Sequence, residues 1–152
     1  RQHKMKSALK RFLENLLPPE ETVETDEEAL NFAAALLLFE VANADYNLDD
    51  IEWQSMKKAL NEVLGINTDN ADKLLKIAES HSQSNTSLQP FTRLINDEFG
   101  IEQKKKLMKA MWQIAYADGK LDKYEEHYLR KISELLYIPH SQFIQQKLAV
   151  IG

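Results

Sequence analysis

The chain has 152 residues, of which 43% are apolar, and a formal net charge of -5 at pH 7. That length suits one domain with a real core, and the apolar share excludes a disordered chain. The acidic balance argues against a general nucleic-acid binder, which needs a basic face, and the lack of cysteine excludes disulfides, thiolate zinc sites and thiol nucleophiles.

With 4 Gly, 4 Pro and few β-branched runs, the composition favours helices throughout. Met5, Ala8, Leu9, Phe12, Leu13 and Leu16 recur at helical spacing, and Pro18-Pro19 end that helix because neither can donate the next hydrogen bond. An acidic connector runs from Glu20 to Glu28, where Thr25 and Glu28 read as a capping box. Residues 1–24 are therefore an N-terminal helix and connector, expected to pack on a domain formed by residues 25–152. A helix from about Asp26 to Ala44 is apolar almost all round, the mark of a central buried helix. Asn31, Glu40 and Asn43 fall on its narrow exposed strip.

Ile51, Met56, Leu60, Val63 and Leu64 predict an amphipathic helix closed by Gly65. Another starts at Thr68 or Asp69 and carries Leu74, Leu75, Ile77 and Ala78, and polar His81 to Ser87 reads as a loop. A short helix with Phe91, Leu94, Ile95 and Phe99 breaks at Gly100. A long one follows from Ile101 to about Ala117, with Leu107, Ala110, Met111, Ile114 and Ala115 facing inward. Tyr128, Leu129, Ile132, Leu135 and Leu136 give the next, and Pro139 opens a last helix with Phe143, Ile144 and Leu148 facing inside. No stretch reaches the roughly 18 apolar residues of a membrane span. The opening Arg1-Gln2-His3-Lys4 leads into spaced apolar positions, so no signal peptide is expected.

One acidic pattern, A-x-A-D-x-x-L-D-x-x-E, occurs twice: once with Asp45, Asp49 and Glu52, once with Asp118, Asp122 and Glu125. The likeness extends onward, since Leu60-Asn61-Glu62-Val63-Leu64-Gly65-Ile66 matches Ile132-Ser133-Glu134-Leu135-Leu136-Tyr137-Ile138 with one residue lost between. Two helix–turn–helix units from one ancestor, packed into a single bundle of about seven to eight helices, explain both matches.

Helix capping accounts for half of the pattern. Asp49 and Asp122 stand as N-caps, Glu52 and Glu125 three residues on close capping boxes, and Leu48 and Leu121 staple the turn. Capping does not account for Asp45 and Asp118, which face the negative end of the preceding helix dipole at a cost of about 0.3–1 kcal/mol. A hard cation held by carboxylates and turn carbonyls would compensate, and so would a basic side chain or a hydrogen bond to the next helix. The spacing argues against an EF-hand. Glu125 at the last loop position would place Ile114 and Tyr116 at the first and third, where ligands are needed, and the first copy puts Tyr46 where Gly is required.

These motifs resemble the TerB-like family, named for the bacterial tellurite-resistance protein B, whose all-helical domain carries paired A-x-A-D-G-x-[LI]-D-x-x-E motifs. Phe91-Thr92-Arg93, Leu107-Met108-Lys109-Ala110-Met111-Trp112 and Pro139-His140-Ser141-Gln142-Phe143-Ile144 are similar to a stand-alone branch of it. The resemblance runs from about Ala29 to the C-terminus. It implies a helical bundle with acidic sites for a divalent cation, calcium first and magnesium next, at Asp118, Asp122 and Glu125 and at Asp45, Asp49 and Glu52. It implies a bacterial cytoplasmic protein linked to stress or tellurite response, with no catalytic activity. Related domains fused to J-domain co-chaperones imply a protein partner, and any membrane association runs through partners. Tyr46-Asn47 departs from the family's Gly-x.

Other signals are weaker. His3, His81, His127 and His140 show no metal-ligand spacing, which argues against di-iron and His-based zinc sites. Lys104, Lys105, Lys106 and Lys109 read as a solvated helix face, and Trp53 and Trp112 as core. Three functions stay open: a cation-tuned binding module, a metal-free scaffold in which the motifs are caps, and a hydrolase or metalloenzyme using the carboxylates, which would need a concave pocket with an open metal position and a general base.

Overall fold

The computed structural model describes residues 26–44, 48–82 and 87–152. The expected helix over Met5 to Leu16, its Pro18-Pro19 stop and the Thr25 cap lie outside these residues. Seven helices make up the described fold: α1 (Asp26–Ala42), α2 (Asp50–Leu64), α3 (Thr68–Ser82), α4 (Gln89–Glu98), α5 (Ile101–Ala115), α6 (Lys123–Leu135) and α7 (His140–Ile151). Among the described residues there is no strand, and the fold class is all-α.

The bundle is organised around α1, which touches α2, α3, α4, α5 and α6. This is why it shows no polar face. Every residue from Phe32 to Phe39 is buried, as are Ala29, Val41 and Ala42. Ala33, Ala34 and Ala35 leave room for neighbours to approach closely, while Phe32, Leu36, Leu37 and Leu38 fill the space between them. The polar strip expected on α1 is only half-exposed at Asn31, Glu40 and Asn43. Burial pushes the Glu40 carboxyl above its ordinary range, opposed by a hydrogen bond that Ser82 donates to it and by the charge of Lys131.

The amphipathic helices close round this axis. Leu75 and Ala78 of α3, Ile95 of α4, Leu107, Met111 and Trp112 of α5, and Leu129 and Ile132 of α6 are all buried. α7 packs on α5 and α6 through Phe143, and the Trp112 indole N–H donates to the Phe143 carbonyl at 3.1 Å. Trp53 is half-buried against the core, and its Nε1–H reaches the Asp72 carboxylate at 2.8 Å. That bond, and a second from Lys76, hold the Asp72 carboxyl below its ordinary range.

Helix ends follow local chemistry. Gly65 closes α2 at φ 70, the left-handed conformation that glycine adopts without strain, and its N–H returns to the Asn61 carbonyl at 2.8 Å. Tyr137 holds the corresponding place after α6 at φ 56, with Ile138 N–H on the Ser133 carbonyl at 3.0 Å. Asn67 precedes α3 and accepts the Asn70 N–H at 2.9 Å, so the capping residue lies one position before Thr68.

Four local expectations change. Leu148, expected inside on α7, is 58% exposed, because the part of α7 packed on α5 and α6 is centred on Phe143. His81 and Ser82 belong to α3, not to a loop. His81 is buried, its ring 5.7 Å from Phe32 and 5.8 Å from Phe91, and desolvation lowers its pKa. Ile51, expected on the inner face of α2, is 54% exposed, because it sits in the first turn beside the motif. Lys104 and Lys105 are half-buried, while Lys106 and Lys109 are exposed.

Candidate functional site

The second acidic motif is fully described. α5 ends at Ala115, and the chain tightens as Ala117 N–H bonds the Ile114 carbonyl at 3.2 Å and Gly119 N–H bonds that of Tyr116 at 3.0 Å. Gly119 then takes φ 81, which a side chain would strain. Asp118 is held in this turn by accepting the Lys120 N–H at 3.0 Å. Asp122 caps α6, with Oδ1 accepting from Tyr124 N–H at 2.8 Å and Glu125 N–H at 3.2 Å. Leu121, just before the cap, packs against the core.

The first motif repeats the capping half. Asp49 accepts the Glu52 N–H at 2.9 Å to start α2, and Leu48 packs against the core. A staple would pair Leu48 with Trp53, but Leu121 with Glu126, so apolar stapling suits only the first copy. Asp45, and the Tyr46-Asn47 departure beside it, lie outside the described residues.

The two turns face a common space. α2 and α5 pack side by side, and the turn before α2 meets the turn before α6 across one cavity of about 350 Å³. Asp49, Glu52, Asp118, Lys120, Leu121, Asp122 and Glu125 line it. Five of the six acidic residues marked in the sequence therefore share one space. Glu52 and Glu125 are buried, 6% and 3% exposed, whereas Asp49 and Asp118 are exposed. Lys120 is the lining cation that sequence reasoning overlooked, because it occupies a variable position of the pattern. It makes no ion pair with a described residue.

The donor set is all carboxylate oxygen, which suits a hard cation and not a soft one. Among the described residues, no three Asp, Glu or His side chains converge closely enough to hold an ion directly. None of the described histidines lines the cavity: His127 is exposed on α6, His140 stacks on Phe143 with ring centroids 6.0 Å apart, and His81 is in the core.

An all-α bundle whose two capped turns share an acid-lined cavity defines a class of small helical domains with a carboxylate-rich site. The family model described as tellurite resistance protein TerB matches residues 31–148, and the chain belongs to that family. No curated protein and no solved structure matches it. Among the described residues, no helix is long and apolar enough to cross a membrane.

Proposed function

We propose that this TerB-family chain is a non-enzymatic, cytoplasmic binding module whose two motifs form one site for a hydrated divalent cation, calcium first and magnesium next. The observation that carries the reading is the shared cavity: Asp49, Glu52, Asp118, Asp122 and Glu125 line about 350 Å³ of common space. Hard cations prefer such oxygen donors, and magnesium in particular keeps much of its water. Carboxylates too far apart for direct ligation can still hold an ion through that water. The bound cation would neutralise the cavity and set the shape that a protein partner meets. A role in stress or tellurite response is the family-level expectation.

A metal-free scaffold is the second reading, favoured by one specific observation. Asp49, Asp118 and Asp122 each already accept a backbone N–H, so capping and turn formation give them a use without an ion.

Thermal melts with chelator, then calcium, magnesium, manganese and zinc, test the proposal. Only binding to the folded form raises the melting temperature in a saturable way. The expected result is a calcium-dependent rise that the double variant Asp118→Asn/Asp122→Asn loses. No rise with any cation favours the scaffold.

A further inference from the structure

A second cavity, of about 340 Å³, lies between α4 and the C-terminal end of α6 and shares no residue with the acidic one. Arg93, Asn96, Asp97, Leu135 and Tyr137 line it. Three features of its lining bear on a ligand. Asn96 donates through Nδ2 to the Leu135 carbonyl at 3.0 Å, which fixes the amide as part of the wall with its Oδ1 buried out of solvent's reach. Arg93 and Asp97 stand one turn apart on the exposed side of α4, a spacing at which opposite charges ordinarily pair. Neither forms an ion pair with a described residue. Finally, Tyr137 keeps a left-handed backbone at φ 56 and is 78% exposed, where Gly65 fills the corresponding place after α2 without strain. Such strain in an exposed aromatic is a pointer to use of the side chain.

We infer that this cavity binds a free α-amino acid with an apolar side chain. The carboxylate meets the Arg93 guanidinium, and the ammonium meets the Asp97 carboxylate. The side chain lies against Leu135 and the Tyr137 ring. Asp97 repels a simple anion and Arg93 a simple cation, so a zwitterion is the species that satisfies both. The volume lies at the small end of ligand pockets, as a ligand of this size requires.

Isothermal titration calorimetry on the full chain tests the inference, with chelator present throughout so that the acidic cavity plays no part. The probes are leucine, phenylalanine and tyrosine, then N-acetyl-phenylalanine and phenylalanine amide. Saturable binding of at least one free amino acid is expected, with loss of either charge on the ligand weakening it about tenfold or more. Arg93→Met and Asp97→Asn should each do the same, and because both residues are exposed their ligand-free melting temperatures should match wild type. No heat with any free amino acid at millimolar concentration overturns the inference. So does binding that survives both substitutions, or that is as tight for the acetylated and amidated forms.

Discussion

Replacing Asp118 by Asn should stabilise the cation-free protein. The amide oxygen can still accept the Lys120 N–H, so the turn survives and only the charge is lost. A sphere of 350 Å³ is about 9 Å across, and two unit charges at that distance in water repel by about 0.5 kcal/mol. Asp118 faces four other lining carboxylates and one ammonium, a net of three such repulsions, or about 1.4 kcal/mol before screening. Over that distance, salt at about 10 mM leaves about 1 kcal/mol, and salt at about 150 mM about 0.5 kcal/mol. At this chain length 1 kcal/mol shifts the melting temperature by about 2–4 °C. Scanning calorimetry in chelator should therefore show Asp118→Asn melting about 3 °C above wild type in low salt and about half that in physiological salt. Asp97→Asn, remote from the cavity, serves as the control. A variant that melts below wild type, or whose gain does not change with salt, refutes the picture of mutually repelling carboxylates around one cavity.

Four further outcomes follow from the same geometry. Asp122→Ala should be less stable than Asp122→Asn by about 1 kcal/mol in urea unfolding, because both remove the charge but only Asn keeps the α6 cap. Leu37→Ala, fully buried in α1, should cost about 2–5 kcal/mol by the same assay. Glu40→Gln keeps the hydrogen bond from Ser82 and should raise the melting temperature at neutral pH. Because the folded pKa of Glu40 is raised, its stabilising contribution is complete below the unfolded carboxylate range and is lost as pH rises through the folded value. The advantage of the variant should therefore shrink on acidification. Trp53→Phe removes the indole bond to Asp72 and should lower stability at neutral pH. That group's pKa is depressed, so the deficit should persist above the ordinary carboxylate range and vanish as pH falls through its lowered value.

Helices α2 to α7 were legible because their apolar residues recur at helical spacing, and α1 because it is apolar almost all round. Met111 and Ile114, or Leu129 and Ile132, are neighbours on one helical face and need no distant information. Capping was legible too, since Asp49 and Asp122 act on N–H groups within three residues. His81 was not. Its polar surroundings in sequence suggest a loop, and only the rings of Phe32 and Phe91 from two other helices explain its burial. The shared cavity was hidden for the same reason: its two halves lie far apart in the chain, and the packing of α2 against α5 brings them together. Tyr137 departs from the glycine that its left-handed backbone favours, so nothing local announces the turn.

A helix with no polar side has no way to wait in water. Residues of α1 are synthesised before the helices that cover them, and the last of these, α6, ends at Leu135. At about 5–20 residues per second, translation leaves α1 incompletely covered for about 5–20 s. During that interval Phe32, Leu36, Leu37 and Phe39 are a sticky nascent segment that other chains can capture. The feature that centres the finished bundle therefore makes its biosynthesis dependent on how quickly the rest of the chain arrives, or on what shields the segment meanwhile.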